Sequence, residues 1–102
     1  VSYMMASATS GAIYWQAALE AVTAGDAVDL DAATSFDTVN SGNGTVPGTA
    51  GYMQQISITM TNADSIAAGD LVRLSVNRDA DNASDTATGD AYLLAVELRD
   101  AA

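Results

Sequence analysis

Apolar and polar side chains alternate with a period of two in four separate stretches of this chain, the pattern of strands with one face buried. In GAIYWQAALEAV the odd positions Ile13, Trp15, Ala17, Leu19 and Ala21 form one apolar face. In YMQQISITMT it is Tyr52, Ile56, Ile58 and Met60, in LVRLSVNR it is Val72, Leu74 and Val76, and in AYLLAVELR it is Tyr92, Leu94, Val96 and Leu98. A helix competes for QAALEAV, which is rich in helix formers. Strand is the preferred reading, because Ile13, Tyr14 and Trp15 favour a pleated surface. Val1, Tyr3 and Met5 begin a further strand, and residues 35–39 form a short one. The expectation is an all-β chain.

The breaks use turn chemistry. Residues 40–51, NSGNGTVPGTAG, carry four glycines and the only proline, Pro47, and are expected to form a long loop. The pair Gly-Asp precedes apolar residues three times, at Gly25, Gly69 and Gly89. Each glycine can take a positive φ, and each following Asp can accept hydrogen bonds from turn amides. Their spacing is too unequal for a solenoid repeat. Connections of about ten residues are long for tight hairpins and suit strands that cross between sheets. The predicted fold is a small antiparallel β-sandwich of jelly-roll type, one domain over residues 1–102.

Charge narrows the function. Thirteen acids face three arginines, Arg73, Arg78 and Arg99, with no lysine or histidine, for a net charge of −10. That balance opposes binding to nucleic acid, which needs clustered cations, and to anionic membrane surfaces. No apolar run approaches the ~18 residues of a membrane-spanning helix. The chain opens on Val1 with no basic-then-apolar leader visible. Without cysteine there are no disulfides and no thiolate metal sites. A chain of this length buries roughly 65% of its unfolded surface, so the core is thin and partner subunits would help it.

The acid-rich link NRDADNASDTATGDA, residues 77–91, raises the question of a metal. Aligned to an EF-hand, Asp79 and Asp81 take the first and third ligand positions, but Ala83 falls at the fifth. Ser84 then stands where Gly is needed and Asp90 where Glu is needed. The favoured reading is a solvated link between strands, with no metal and no cofactor; a looser calcium site there or around Asp26, Asp29 and Asp31 is the lesser alternative. Catalytic residues are none. Triads that use His or Cys, and a lysine Schiff base, are impossible within the chain. Glu20 and Glu97 lie on the polar side of their strands, with Glu97 placed to pair with Arg73 across strands. Trp15 belongs with the core residues. Met4, Met5, Tyr14 and Leu93 are the candidate oligomer or capsid contacts, read as lying opposite the inferred core faces.

Residues 47–99 carry a further signal. PGTAG at 47–51, ITMTNAD at 58–64, AAGDLVRLSVNRD at 67–79 and DTATGDAYLLAVELR at 85–99 resemble a class of tailed-bacteriophage virion structural proteins, and residues 14–22, YWQAALEAV, fit its first half. The resemblance implies a β-sandwich on the particle surface, on the capsid exterior or a tail appendage. It would assemble as a homotrimer with the major capsid protein or other virion proteins as partners, as a decoration (cement) protein or head-fibre module. The class shares no catalytic or metal residues that could be carried over. A receptor- or carbohydrate-binding tip domain of a tail appendage is the alternative. Two departures stand out: any capsid-anchoring arm would be absent or very short, and the chain has no lysine.

Overall fold

A computed structural model describes residues 1–31 and 35–99. Among them are six strands and no helix: β1 Ser2–Met5, β2 Ala12–Val22, β3 Asn40–Thr45, β4 Gln54–Gln55, β5 Leu71–Arg78 and β6 Ala91–Ala95. They form two antiparallel three-stranded sheets, ordered β4-β1-β6 and β3-β2-β5. The expected small β-sandwich is therefore present. A jelly-roll connectivity, which takes eight strands in two Greek keys, does not follow from this order.

β2 is the long spine, and its eleven residues reach about 36 Å at ~3.3 Å per residue. β3 flanks its first half, from Ala12 to Ala17. β5 flanks its second half on the other side, from Trp15 to Val22. The facing sheet is built on β1, only four residues long, so one end of the large sheet overhangs it. The molecule measures 48 × 30 × 20 Å with a radius of gyration of 15.4 Å, against about 13 Å for a compact chain of this length.

The core gathers where the sheets overlap. Tyr3, Met5, Ile13, Trp15, Val46, Ile56 and Ala87 are buried together, and the Tyr3 and Trp15 rings lie 5.8 Å apart at a tilt of 52°. Ile13, Trp15, Ala17 and Leu19 take the inner face as the alternation predicts. The helix reading of QAALEAV is excluded by the ladder of β5 along its whole length.

Four expectations need correcting. Asn40–Thr45 is a strand rather than part of the long loop. Gly42 pairs opposite Trp15, and a Cβ on it would lie 2.9 Å from Ile56 Cγ2 and 3.0 Å from the Ser57 carbonyl. Glycine here admits the close approach of the 56–58 segment. Residues 52–61 form a strand only at Gln54–Gln55, continued by Val1 and Ile56, which exchange two backbone hydrogen bonds. Tyr52 is 65% exposed rather than in the core. Residues 35–39 form no strand. There Asp37 makes one ladder-like bond, its N–H donating to Leu19 O at 2.9 Å, while its carboxylate takes the Thr38 and Asp64 amides.

The fourth correction concerns β6. Ser2 pairs with Ala95 but Tyr3 with Leu93, leaving Leu94 as a bulge. A bulge reverses which side chains face the core. Before it, Ala91 and Leu93 stand beside Met5 and Tyr3, and Tyr92 stands outside beside Met4. After it, Val96 and Leu98 border the crevice at the open end but stay 41% and 50% exposed, not buried in the core as the alternation implied.

Candidate functional site

The acid-rich link is a built structure. Asn82 N donates to Asp79 O and Asp85 N to Asn82 O, so two successive tight turns fold the chain back beneath the end of β5. Arg78 stands there on the inner face, paired opposite Trp15. Its Nε donates to Asp85 Oδ2 at 2.8 Å and its Nη2 to Asp85 Oδ1 at 2.7 Å, a bidentate pair. Nη1 reaches the Gly89 carbonyl and Nη2 the Ala87 carbonyl. The Asp85 side chain is 1% exposed and that of Arg78 14%. Asp85 Oδ2 also accepts from Tyr14 N, where β2 has run past the end of β5. The Arg78 guanidinium holds the Asp85 carboxyl below its usual range, helped by the Tyr14 amide and opposed by burial. Asp85 raises the Arg78 pKa in turn. The reading of this link as merely solvated is thus corrected at Asp85.

A second carboxylate does the same service at the other end of β2. Where β3 is absent, Asp64 Oδ2 accepts from Ala21 N at 2.9 Å. Asp64 holds a left-handed backbone, φ 51°, which short polar residues tolerate.

Glu20 is the other surprise. Expected on a polar face, it is 1% exposed. Leu30, Ser35 and Phe36 lie over the outer side of β2 and β5, where Glu20 pairs opposite Arg73. Arg73 Nε donates to Glu20 Oε1 at 2.6 Å and Nη1 to Leu30 O at 3.2 Å, and the guanidinium lies 5.6 Å from the Phe36 ring centre. The Ser35 amide, with Arg73, keeps the Glu20 carboxyl below its usual range against the cost of burial. Arg73 therefore pairs with Glu20, not with Glu97 as expected. Glu97 lies 3.7 Å from Arg99 in an exposed pair that contributes little.

Two of the three Gly-Asp turns are the same device. Asp26 N donates to Thr23 O while Thr23 N donates to Asp26 Oδ2, and Asp70 repeats both bonds with Ala67. Gly25, Gly69 and Gly89 all have positive φ, at 96°, 88° and 82°. The Thr23 hydroxyl ties the two turns together through Asp70 Oδ1. Asp29 meanwhile accepts the Asp31 amide. Among the described residues, no three acidic side chains converge as metal ligands.

The contact candidates divide. Met5 is 1% exposed and belongs to the core, which corrects its assignment as a contact. It shares the alternation of Tyr3, a signal already present in the sequence. Met4 and Tyr14 are half-buried on outer faces. Leu93 stands on the Tyr3 side yet is 43% exposed, at the edge of the small sheet. The structure brings Met4 and Leu93 onto adjoining strands of the small sheet and leaves Tyr14 on the other. Alternation missed the neighbouring exposed Tyr92, Leu94, Val96 and Leu98, because it assigned them to the core.

At the overhanging end the sheets part around an apolar crevice of about 50 Å³ lined by Ile58, Met60, Leu74, Val76, Val96 and Leu98, among others. No family model, curated protein or solved structure matches the chain.

Proposed function

We propose that this protein is a structural module of a tailed-bacteriophage particle. In this reading it is a trimer-forming capsid decoration (cement) or head-fibre domain whose partners are copies of itself and shell proteins on the virion surface. One observation carries the self-association: twelve large apolar side chains among the described residues stay exposed on a chain whose core is thin for its length. A subunit of this kind gains by burying apolar surface against copies of itself. The resemblance of residues 47–99 to phage virion proteins supplies the setting. The charged residues of that pattern support a structural reading, since Asp64, Asp70, Arg73, Arg78 and Asp85 each hold strands or turns together. Light scattering at tens of micromolar is expected to give the mass of three chains. A single species of 10.4 kDa would overturn the proposal, and electron density for the domain on an intact particle would locate it.

A further inference from the structure

We infer that copies of this chain meet along β6, so that this strand lies innermost in the assembly. The inference rests on the self-association proposed above and names the surface that makes it.

β6 and the residues after it are exposed on both sides. Tyr92 and Leu94 on one side, and Leu93, Val96 and Leu98 on the other, are between 41 and 51% exposed. β6 is also an edge strand, with β1 on one side only. An apolar edge without lysine, proline or inward charge lacks the usual protection against pairing with another chain. The remaining edges differ. β4 is two residues long. β5 carries Arg73 and Arg78. The start of β3 is held by the 61–62 segment, through Asn40 Nδ2 to Thr61 Oγ1 and Asn62 N to Asn40 Oδ1.

Charge agrees with this choice and argues against β5. A molecule of net charge −10 repels its copies, and a carboxylate desolvated between them is costly. β6 contains no charged residue, nor do β1, β3 and β4, whereas the edge strand β5 carries two arginines. Tyr92, Leu93 and Leu94 of β6, with Val96 and Leu98 just after it, present roughly 400 Å² of apolar surface over the two sides of this edge, the scale of the largest patch on a typical monomer. Met4 beside Tyr92, with Tyr52 and Met53 leading into β4, extends it toward the ~800 Å² each partner gives a stable interface. The repulsion is screened by salt over about 8 Å at physiological ionic strength, so added salt should tighten the association.

The test is light scattering of the wild type and Leu94→Asp, with emission from Trp15, the sole tryptophan, reporting the fold. The expected result is a multi-chain wild type and a single-chain Leu94→Asp with unchanged emission. If Leu94→Asp and Tyr92→Asp both keep the wild-type mass, β6 is not the contact and the inference falls, while the self-associating module stands. A single-chain wild type overturns both. Should Leu94→Asp unfold, the cysteine-free background decides: Leu94→Cys, with one thiol per chain, should give covalent dimers with a short bismaleimide, and Val28→Cys, 39% exposed between β2 and β3, should not. Equal yields from the two positions overturn the inference.

Discussion

The two ends of this sandwich are built from the same strands and closed by opposite means. At one end, Ile13, Trp15, Tyr3 and Met5 are covered and the 77–91 link shuts the gap, with the Arg78–Asp85 pair as its fastening. At the other, Leu74 and Val76 of β5 continue the inner face but meet Val1 and the irregular segments 58–60 and 96–98, and a crevice is left. The difference is one of length: β2 outruns the facing sheet by several residues. The closed end makes the subunit a folded object. The open end and the adjoining β6 leave apolar surface for something else to cover.

The largest effect should come from unfastening the closed end. Asp85→Ala leaves the Arg78 guanidinium unpaired, removes a partner of Tyr14 N and frees the link. Breaking a buried pair from one side typically costs about 3–5 kcal/mol. Urea unfolding followed by Trp15 emission would measure it. A loss under about 1 kcal/mol would mean the link is no fastening. The same pair sets a pH dependence. Asp85 and Glu20 both titrate below their usual range when folded. Their contribution is complete above the unfolded values of ~3.9 for Asp and ~4.3 for Glu and is lost as pH falls through the lower folded values. The urea midpoint should hold from neutral pH down to about 5 and drop steeply below about 4. In Asp85→Asn the drop should be shallower, though not absent, because Glu20 remains.

The next test concerns how closely the strands approach around the core. Gly42→Ala pushes a methyl against Ile56 and the Ser57 carbonyl, and overpacking of this kind costs about 1–2 kcal/mol. Gly48→Ala is the control, since nothing lies within 4 Å of its added carbon, and should change stability by a few tenths at most. Equal effects at both positions would remove the account of why β3 is rich in glycine.

These residues also show what alternation can and cannot convey. The inner faces of β1, β2 and β5 were legible, because period two directly reports a strand with one buried face. β3 was not: in NSGNGT the inward positions Gly42 and Gly44 carry no side chain, so a strand read as a loop. β6 was misread beyond a single residue, since the bulge at Leu94 depends on the register with β1 and leaves no local mark. Glu20 and Asp85 were placed in solvent because their burial requires Arg73 and Arg78, 53 and 7 residues away. The proposed contact surface draws on two of the residues chosen from the sequence. Met4 and Leu93 were chosen as residues outside the core, yet the feature that unites them, a small sheet without charge and with an uncovered edge, exists only once the chain is folded.

The closed end is not ideally satisfied, and this gives a prediction of opposite sign. Tyr3 Oη is buried with no hydrogen-bond partner among the described residues, and burial raises its pKa. An unsatisfied buried group costs about 1–3 kcal/mol. Tyr3→Phe keeps the ring against Trp15 and removes the orphan hydroxyl, so it should stabilise the fold by about 1 kcal/mol. A loss of stability would place a partner on that oxygen.

The smallest effect should appear at the open end, where it bears most directly on the comparison. Val76 lines the crevice opposite Ala17. Val76→Ile keeps the β-branched shape that suits a strand and adds one methylene toward empty space. Burying that group contributes at most about 0.8 kcal/mol, less if the longer side chain stays half exposed. A matching addition at Val46, 4% exposed in the closed core, should destabilise through strain. Opposite signs for one chemical change would establish that the two ends differ in packing and not merely in exposure. Two losses of equal size would mean the crevice is already filled by its own walls.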